Sequence, residues 1–223
     1  MTKKVLVVAV HPDDETLGCG GTLLKHKECG DEIHWLICTA MYEENGFHRT
    51  VIEKRKNEID DVSGLYAFDS THCLGLPAMQ VDEHSMSELI AKISAVIKMI
   101  QPEIIYLPFK GDVHSDHRKI FEAAYACTKS FRYPFIRKIL MMETLSETEF
   151  APSTKEDSFI PNYFVDISGF IESKMKVMRC FESEISEHPF PRSERNIRAL
   201  ATLRGATAGC ESAEAFMLIK EIA

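Results

Sequence analysis

The sequence predicts an α/β protein: a Rossmann-like, doubly wound, mostly parallel sheet with helices on both faces. Three observations predict it. Short runs of Val, Ile and Leu, apolar at every position, recur along the chain; segments with helical spacing separate them; and Gly, Pro, Asp and Asn clusters bound both. A strand apolar at every position is covered on both faces, and parallel strands need crossover connections, which the intervening helices supply.

Residues 5–10 are the first predicted strand. A helix is expected over 18–29, entered through Gly18, Gly20 and Gly21, and a second strand over 33–39. Residues 50–67 carry Val51, Ile59, Val62 and Leu65 at helical spacing, and a short strand follows at 71–74. The stretch 86–100 is an amphipathic helix through Leu89, Ile90, Ile93, Val96, Ile97 and Ile100, which Pro102 stops before a strand at 103–107. Another helix is expected over 116–131, with Ser115 or Asp116 as its N-cap, and a fifth strand over 137–142. Over 145–162 the pattern lapses into a Pro- and acid-rich loop, long enough to suggest a functional role. Helical spacing returns at 168–186 and 193–206, on either side of Pro189 and Pro191. The expectation is one domain over 1–223: an α/β core to residue 145, then over 146–223 an irregular loop plus C-terminal helices.

Composition narrows the function. The net charge of -8, with no basic stripe, excludes a binder of phosphate backbones. No run approaches the ~20 apolar residues of a membrane span, and the apolar segment after Lys3-Lys4 is too short for a signal sequence. The seven Cys are scattered, with no C-x-x-C pair, which argues for reduced thiols rather than a disulfide framework. A cytoplasmic enzyme is the expectation.

Two clusters carry the chemistry. His11-Pro12-Asp13-Asp14-Glu15 follows the first strand, and His114-Ser115-Asp116-His117 follows the strand at 103–107. In open parallel sheets ligands bind beyond the carboxyl ends of the strands, where strand order reverses, so adjacent strands would bring both clusters to one place. The first loop can supply one His and one Asp, the second one His. That set suits a divalent cation with a coordination position left for water, whose pKa falls from 15.7 to about 7. Spare carboxylates and imidazoles beside the ligands can act as base, acid or oxyanion partner. Like-charge repulsion among these acids should raise at least one carboxyl pKa in the absence of metal. Glu15 is read either as a helix-dipole carboxylate or as a site residue. The G-x-G-x-x-G spacing fails at Leu23, so Gly18, Gly20 and Gly21 are read as close backbone packing. His26, His34, His48, His72, His84 and His188 are read as structural or surface residues, with His48 the least secure.

The first cluster, continuing Thr16-Leu17-Gly18-Cys19-Gly20-Gly21-Thr22, resembles the opening motif of the PIG-L/LmbE-like zinc-dependent N-acetyl sugar deacetylases, with Val10 where that motif usually has Ala. His114-Ser115-Asp116-His117 is similar to the family's His-x-Asp-His. Arg55-Lys56-Asn57-Glu58, the Val165-Asp166-Ile167-Ser168 and Lys174 element, and Ala213-Glu214-Ala215-Phe216 extend the resemblance over nearly the whole chain. It implies that His11, Asp14 and His117 hold the metal, one Zn2+ per chain with Fe2+ as an alternative. It implies further that Asp13 is the general base, that His114 stabilises the oxyanion, as imidazolium or neutral ring, and that Asp116 orients or charge-stabilises a neighbouring His. Arg55 would reach substrate oxygens. Ser212 stands where the family often has Tyr, which removes an aromatic contact.

The function implied is removal of the acetyl group from an N-acetylglucosamine-type conjugate, with acetate and a free amine as products. The partner is then a small N-acetylated sugar conjugate, and a homo-oligomer is left open. Alternatives are an amidase acting on another N-acyl substrate, a metal-binding module without turnover, and a ferrous oxygenase, since two His and one carboxylate also suit non-haem iron.

Overall fold

The computed structural model describes residues 2–223. Seven strands form one sheet in the order β3-β2-β1-β4-β5-β7-β6. They are β1 (Lys4–Ala9), β2 (Glu32–Ala40), β3 (Ser70–Pro77), β4 (Ile104–Leu107), β5 (Lys138–Met142), β6 (Tyr163–Asp166) and β7 (Ala213–Glu221). β1 to β5 are parallel, and β7 runs antiparallel to both β5 and β6. The helices are α1 (Asp14–Glu28), α2 (Arg49–Tyr66), α3 (Met86–Ile100), α4 (Ser115–Ala126), α5 (Ile171–Met178) and α6 (Glu194–Ala208).

β1 is central, and its successive side chains divide between two cores, as the two-residue period of a strand requires. Val5, Val7 and Ala9 pack with residues of α1, α2, α5 and α6. Leu6, Val8 and Val10 pack with α3 and α4. β1 is hydrogen-bonded to β2 on one side and to β4 on the other, with Val7 opposite Tyr106. Strand order therefore reverses between β1 and β4, and both sequence clusters leave the sheet there.

Three sequence expectations need correction. The first helix starts at Asp14, not at residue 18: the motif itself forms its opening turn, and a break at Cys19 (φ -148°, ψ 22°) separates that turn from the rest. The N-cap of α4 is His114, whose Nδ1 accepts the Asp116 N–H at 3.1 Å, in place of Ser115 or Asp116. Residues 146–223 hold two strands as well as loop and helices. β6 and β7 escape sequence reading because they are partly solvated antiparallel strands, one of only four residues and the other interrupted by Glu214, Lys220 and Glu221.

No helix among the described residues is long and apolar enough to cross a membrane. All seven cysteines are unpaired.

Candidate metal centre

The turn after β1 is built around Asp14. Its Oδ2 accepts the N–H groups of Val10 and His11 at 2.9 and 2.8 Å, closing the chain into the first turn of α1. The residue between, Asp13, has φ 136°, a conformation that costs an L-residue about 1–3 kcal/mol. Two contacts hold it. Glu15 Oε2 accepts the Asp13 N–H at 3.2 Å, and Arg55 Nη1 donates to the Pro12 carbonyl at 2.7 Å.

α4 brings His117 to the same point. His117 Nε2 lies 3.4 Å from His11 Nδ1 and 3.4 Å from Asp14 Oδ2, and His11 Nδ1 lies 4.0 Å from that oxygen. A tetrahedral cation with bonds of about 2.0–2.2 Å sets its donor atoms about 3.3–3.6 Å apart, so the triangle fits one. Both rings are aimed from behind. Asp112 Oδ2 pairs with His117 Nδ1 at 2.8 Å, while Asp116 Oδ2 lies 3.4 Å from His11 Nε2. Each carboxylate favours the proton on the outer nitrogen and leaves the inner lone pair free for a cation. His11, His114 and Asp116 also bring ligand-type atoms within 4.8 Å, but on the far side of the His11 ring, where Asp116 serves as its acceptor.

Burial, then Asp14 and Glu184, push the Asp13 carboxyl well above its usual range, against the pull of Arg192. Burial is thus a larger cause than the like-charge repulsion expected from the sequence. Burial and the neighbouring His11 push His114 below the usual imidazole range. Because His114 Nδ1 accepts a backbone N–H, the neutral ring carries its proton on Nε2. Burial alone would raise Asp116, but the hydrogen bonds from His11 and the Met79 N–H outweigh it, and the net shift is downward. Burial alone would lower His117, but Asp14 and Asp112 overcome it and raise the imidazole to about 9.

The triangle opens into a cavity of about 630 Å³, lined by His11, Asp13, Asp14 and His114 among others. Arg55 borders it, but its guanidinium is engaged by the protein. Besides Pro12, it meets Glu58 at 3.1 Å, Ser183 at 3.0 Å and Glu184. From the cavity wall Arg55 thus also fixes the Pro12-Asp13 turn.

Sequence reasoning missed Asp112, Glu147, Glu184 and Arg192. Asp112 is fully buried and also accepts from Thr148 Oγ1 at 2.7 Å. Glu147 and Ser146 reach the cavity from the long loop, and buried Glu147 Oε2 has no hydrogen-bond partner. Arg192 clasps Glu184 and Ser146 at the rim. An isolated Asp two residues before a His motif, or a Glu in a polar loop, gives no periodic signal. His48, the least secure of the remaining histidines, caps α2 by accepting the Thr50 N–H.

A doubly wound sheet with a His–Asp–His cluster at its switch point defines an α/β protein with a candidate catalytic metal centre. Residues 6–128 match the family described as PIG-L, GlcNAc-PI de-N-acetylase, and the chain belongs to that family. It is 28% identical to the diacetylchitobiose deacetylase of Thermococcus kodakarensis, over 99% of this chain and 84% of the relative. Among solved structures it is similar to the N,N'-diacetylchitobiose deacetylase of Pyrococcus horikoshii, with a TM-score of 0.77 at 22% identity, over 98% of this chain and 84% of that one. The 4-carboxy-2-hydroxymuconate hydratase GalB of Pseudomonas putida shares the fold, with a TM-score of 0.75 at 16% identity, over 100% of this chain and 98% of that one. The fold alone thus accommodates more than one reaction.

Proposed function

We propose that this protein is a metal-dependent amide hydrolase that removes the acetyl group from an N-acetylglucosamine-type sugar conjugate, releasing acetate and a free amine. The observation that carries this reading is the triangle of His11 Nδ1, Asp14 Oδ2 and His117 Nε2, with Asp13 and His114 lining the same cavity. Family membership and the deacetylase relatives supply the substrate class. All seven strands share one sheet, which supports reading 1–223 as a single domain.

His11, Asp14 and His117 would hold the cation, for which zinc is proposed and ferrous iron is the alternative. Bound there, a divalent cation would acidify a water molecule and polarise the amide carbonyl. The remaining steps belong to the chain. Asp13 accepts the proton of the attacking water and holds it through the addition step. His114 donates its Nε2–H to the carbonyl oxygen as negative charge develops there. The Asp13 carboxyl then returns its proton to the nitrogen as the C–N bond breaks, so that the amine leaves neutral. Asp112 and Asp116 keep the two ligand imidazoles in the required tautomer.

The test is acetate release from a panel of N-acetylated amino sugars by protein loaded with zinc or with ferrous iron, against other N-acyl amides. Release that disappears on chelation and returns with metal is expected. Turnover of other amides without any N-acetyl sugar would replace the proposal with the amidase reading.

A further inference from the structure

The cavity is much larger than an acetyl group needs, and its two ends differ in chemistry. Asp13, His114, Glu147, Glu184 and Arg192 line it beside the metal triangle, beyond the carboxyl ends of β1 and β4. The rest is lined chiefly by Leu17, Ile37, Met41, Phe47, Ile52 and Ile59, contributed by α1, β2, the segment after β2, and one side of α2, with Thr39, Arg55, Lys56 and Thr71 the polar residues among them. Ile52 and Ile59 stand seven residues apart on α2, two turns along the same face. This lobe reaches back to Cys73 and Thr71 of β3, which pair in register with Ile37 and Trp35 of β2. From Ala40 at the end of β2 to the level of Trp35 is about 17 Å, at ~3.3 Å per strand residue. α2 therefore flanks a long, largely apolar slot that opens at the exposed Thr71 and Cys73 near the edge of the sheet.

Against walls this largely apolar a pyranose ring would leave most of its hydroxyls without partners, so the sugar belongs at the polar end beside the metal triangle. The acetyl group has two carbons and must sit at the metal triangle. What remains to fill the slot is the group attached to the sugar. The geometry points to a substrate whose amino sugar carries an elongated apolar substituent, alkyl or aryl, at its glycosidic position. This rests on the reading of the protein as an N-acetyl sugar deacetylase.

Each methylene moved from water into such a slot is worth a factor of about three to four. The experiment measures acetate release by the metal-loaded protein from methyl, butyl, hexyl and phenyl glycosides of N-acetylglucosamine. A parallel series lengthens the N-acyl group of the methyl glycoside to butanoyl and hexanoyl. Binding of the product amines, methyl and hexyl glucosaminide, is measured by calorimetry, which requires no turnover. The inference expects kcat/KM to rise at least about tenfold from methyl to hexyl or phenyl, and hexyl glucosaminide to bind at least about tenfold tighter than methyl. In Ile52→Glu the hexyl-to-methyl ratio should fall back by about tenfold; because it is a ratio, loss of folded protein cancels.

Equal kcat/KM along the glycoside series, or equal binding of the two amines, overturns the inference. A gain along the N-acyl series instead assigns the slot to the acyl chain and also overturns it. Absence of acetate release from every substrate, with tight binding of the hexyl amine preserved, refutes the hydrolase reading and leaves the slot's preference standing.

Discussion

Glu214 Oε1 accepts the backbone N–H of Gly21 at 2.9 Å, joining two residues 193 apart in sequence across the break in α1. Its second oxygen accepts the Thr22 N–H at 2.7 Å. Lys174 Nζ donates to the Leu17 carbonyl at 2.9 Å and to Glu214 at 2.7 Å. In an unbroken helix the Gly21 N–H would donate to the Leu17 carbonyl. At Cys19 that bond is replaced by a buried carboxylate on the donor side and a buried ammonium on the acceptor side. The glycines permit the close approach: a Cβ on Gly21 would lie 2.8 Å from Ile167, and one on Gly18 would lie 2.8 Å from Met142. The turn that carries Asp13, Asp14 and Glu15 is thereby anchored to the C-terminal strand.

Glu214→Gln should accordingly lower the thermal midpoint and weaken metal binding. Removing one partner of a buried ion pair costs about 3–5 kcal/mol. A loss in metal affinity of about tenfold is expected if part of that cost falls on the Asp14 turn. The double variant Lys174→Met with Glu214→Gln should be milder than either single change, because no unpaired charge stays buried. Competition against a chelator, with circular dichroism melts, measures both; unaltered metal affinity in a destabilised Glu214→Gln would show that the turn holds itself.

Asp13→Asn preserves shape and removes the base. The expected result is a fall in kcat of about 10²–10⁴ with metal content retained, since Asp13 is not among the three proposed ligands. Elemental analysis of the purified variant beside steady-state kinetics checks this. Near-normal turnover would move the base elsewhere, with Glu147, whose buried Oε2 has no hydrogen-bond partner, the first place to look.

Asp112→Ala tests the group behind His117. With its 2.8 Å hydrogen bond gone, His117 is free to turn its protonated nitrogen toward the site. Metal affinity should drop about 10–100-fold. The His117 imidazole should also lose part of its upward shift, because Asp112 is one of the charges that raise it. Histidine resonances followed against pH would report the second effect; a titration matching that of the parent protein contradicts the assignment.

Glu15 makes stability depend on pH. Burial raises its pKa from 4.5 to about 7, against the hydrogen bond from Thr16. A carboxyl that holds its proton more tightly when folded favours the folded state fully below pH 4.5. That contribution declines as pH rises from 4.5 to about 7 and is level above. The loss amounts to roughly 3 kcal/mol at 1.36 kcal/mol per pKa unit. Glu15→Gln cannot ionise, so metal-free variant and parent should have similar midpoints near pH 4.5 and diverge toward pH 8, with the variant the more stable. Parallel melting curves across that range would contradict it.

Much of this protein is legible in the chain itself. The apolar runs at 5–10, 35–38 and 104–107 have to be buried on both faces, which points to a layered parallel sheet. His11, Asp13, Asp14, His114 and His117 stand at the ends of such runs, so their association follows once β1 and β4 are neighbours. Tertiary structure decided the rest. Asp112 becomes a partner of His117 only through the turn before α4, and Arg55 turns to the Pro12 carbonyl and Glu184 only because α2 lies against the first loop. β6 and β7 become strands by pairing with an existing edge, where hydrogen bonds outweigh their mixed polarity. Periodicity records which side of an element is buried, because burial acts on every residue of a face. A single contact between residues distant in sequence leaves no periodic trace, and its identity is fixed only when packing brings the two groups together.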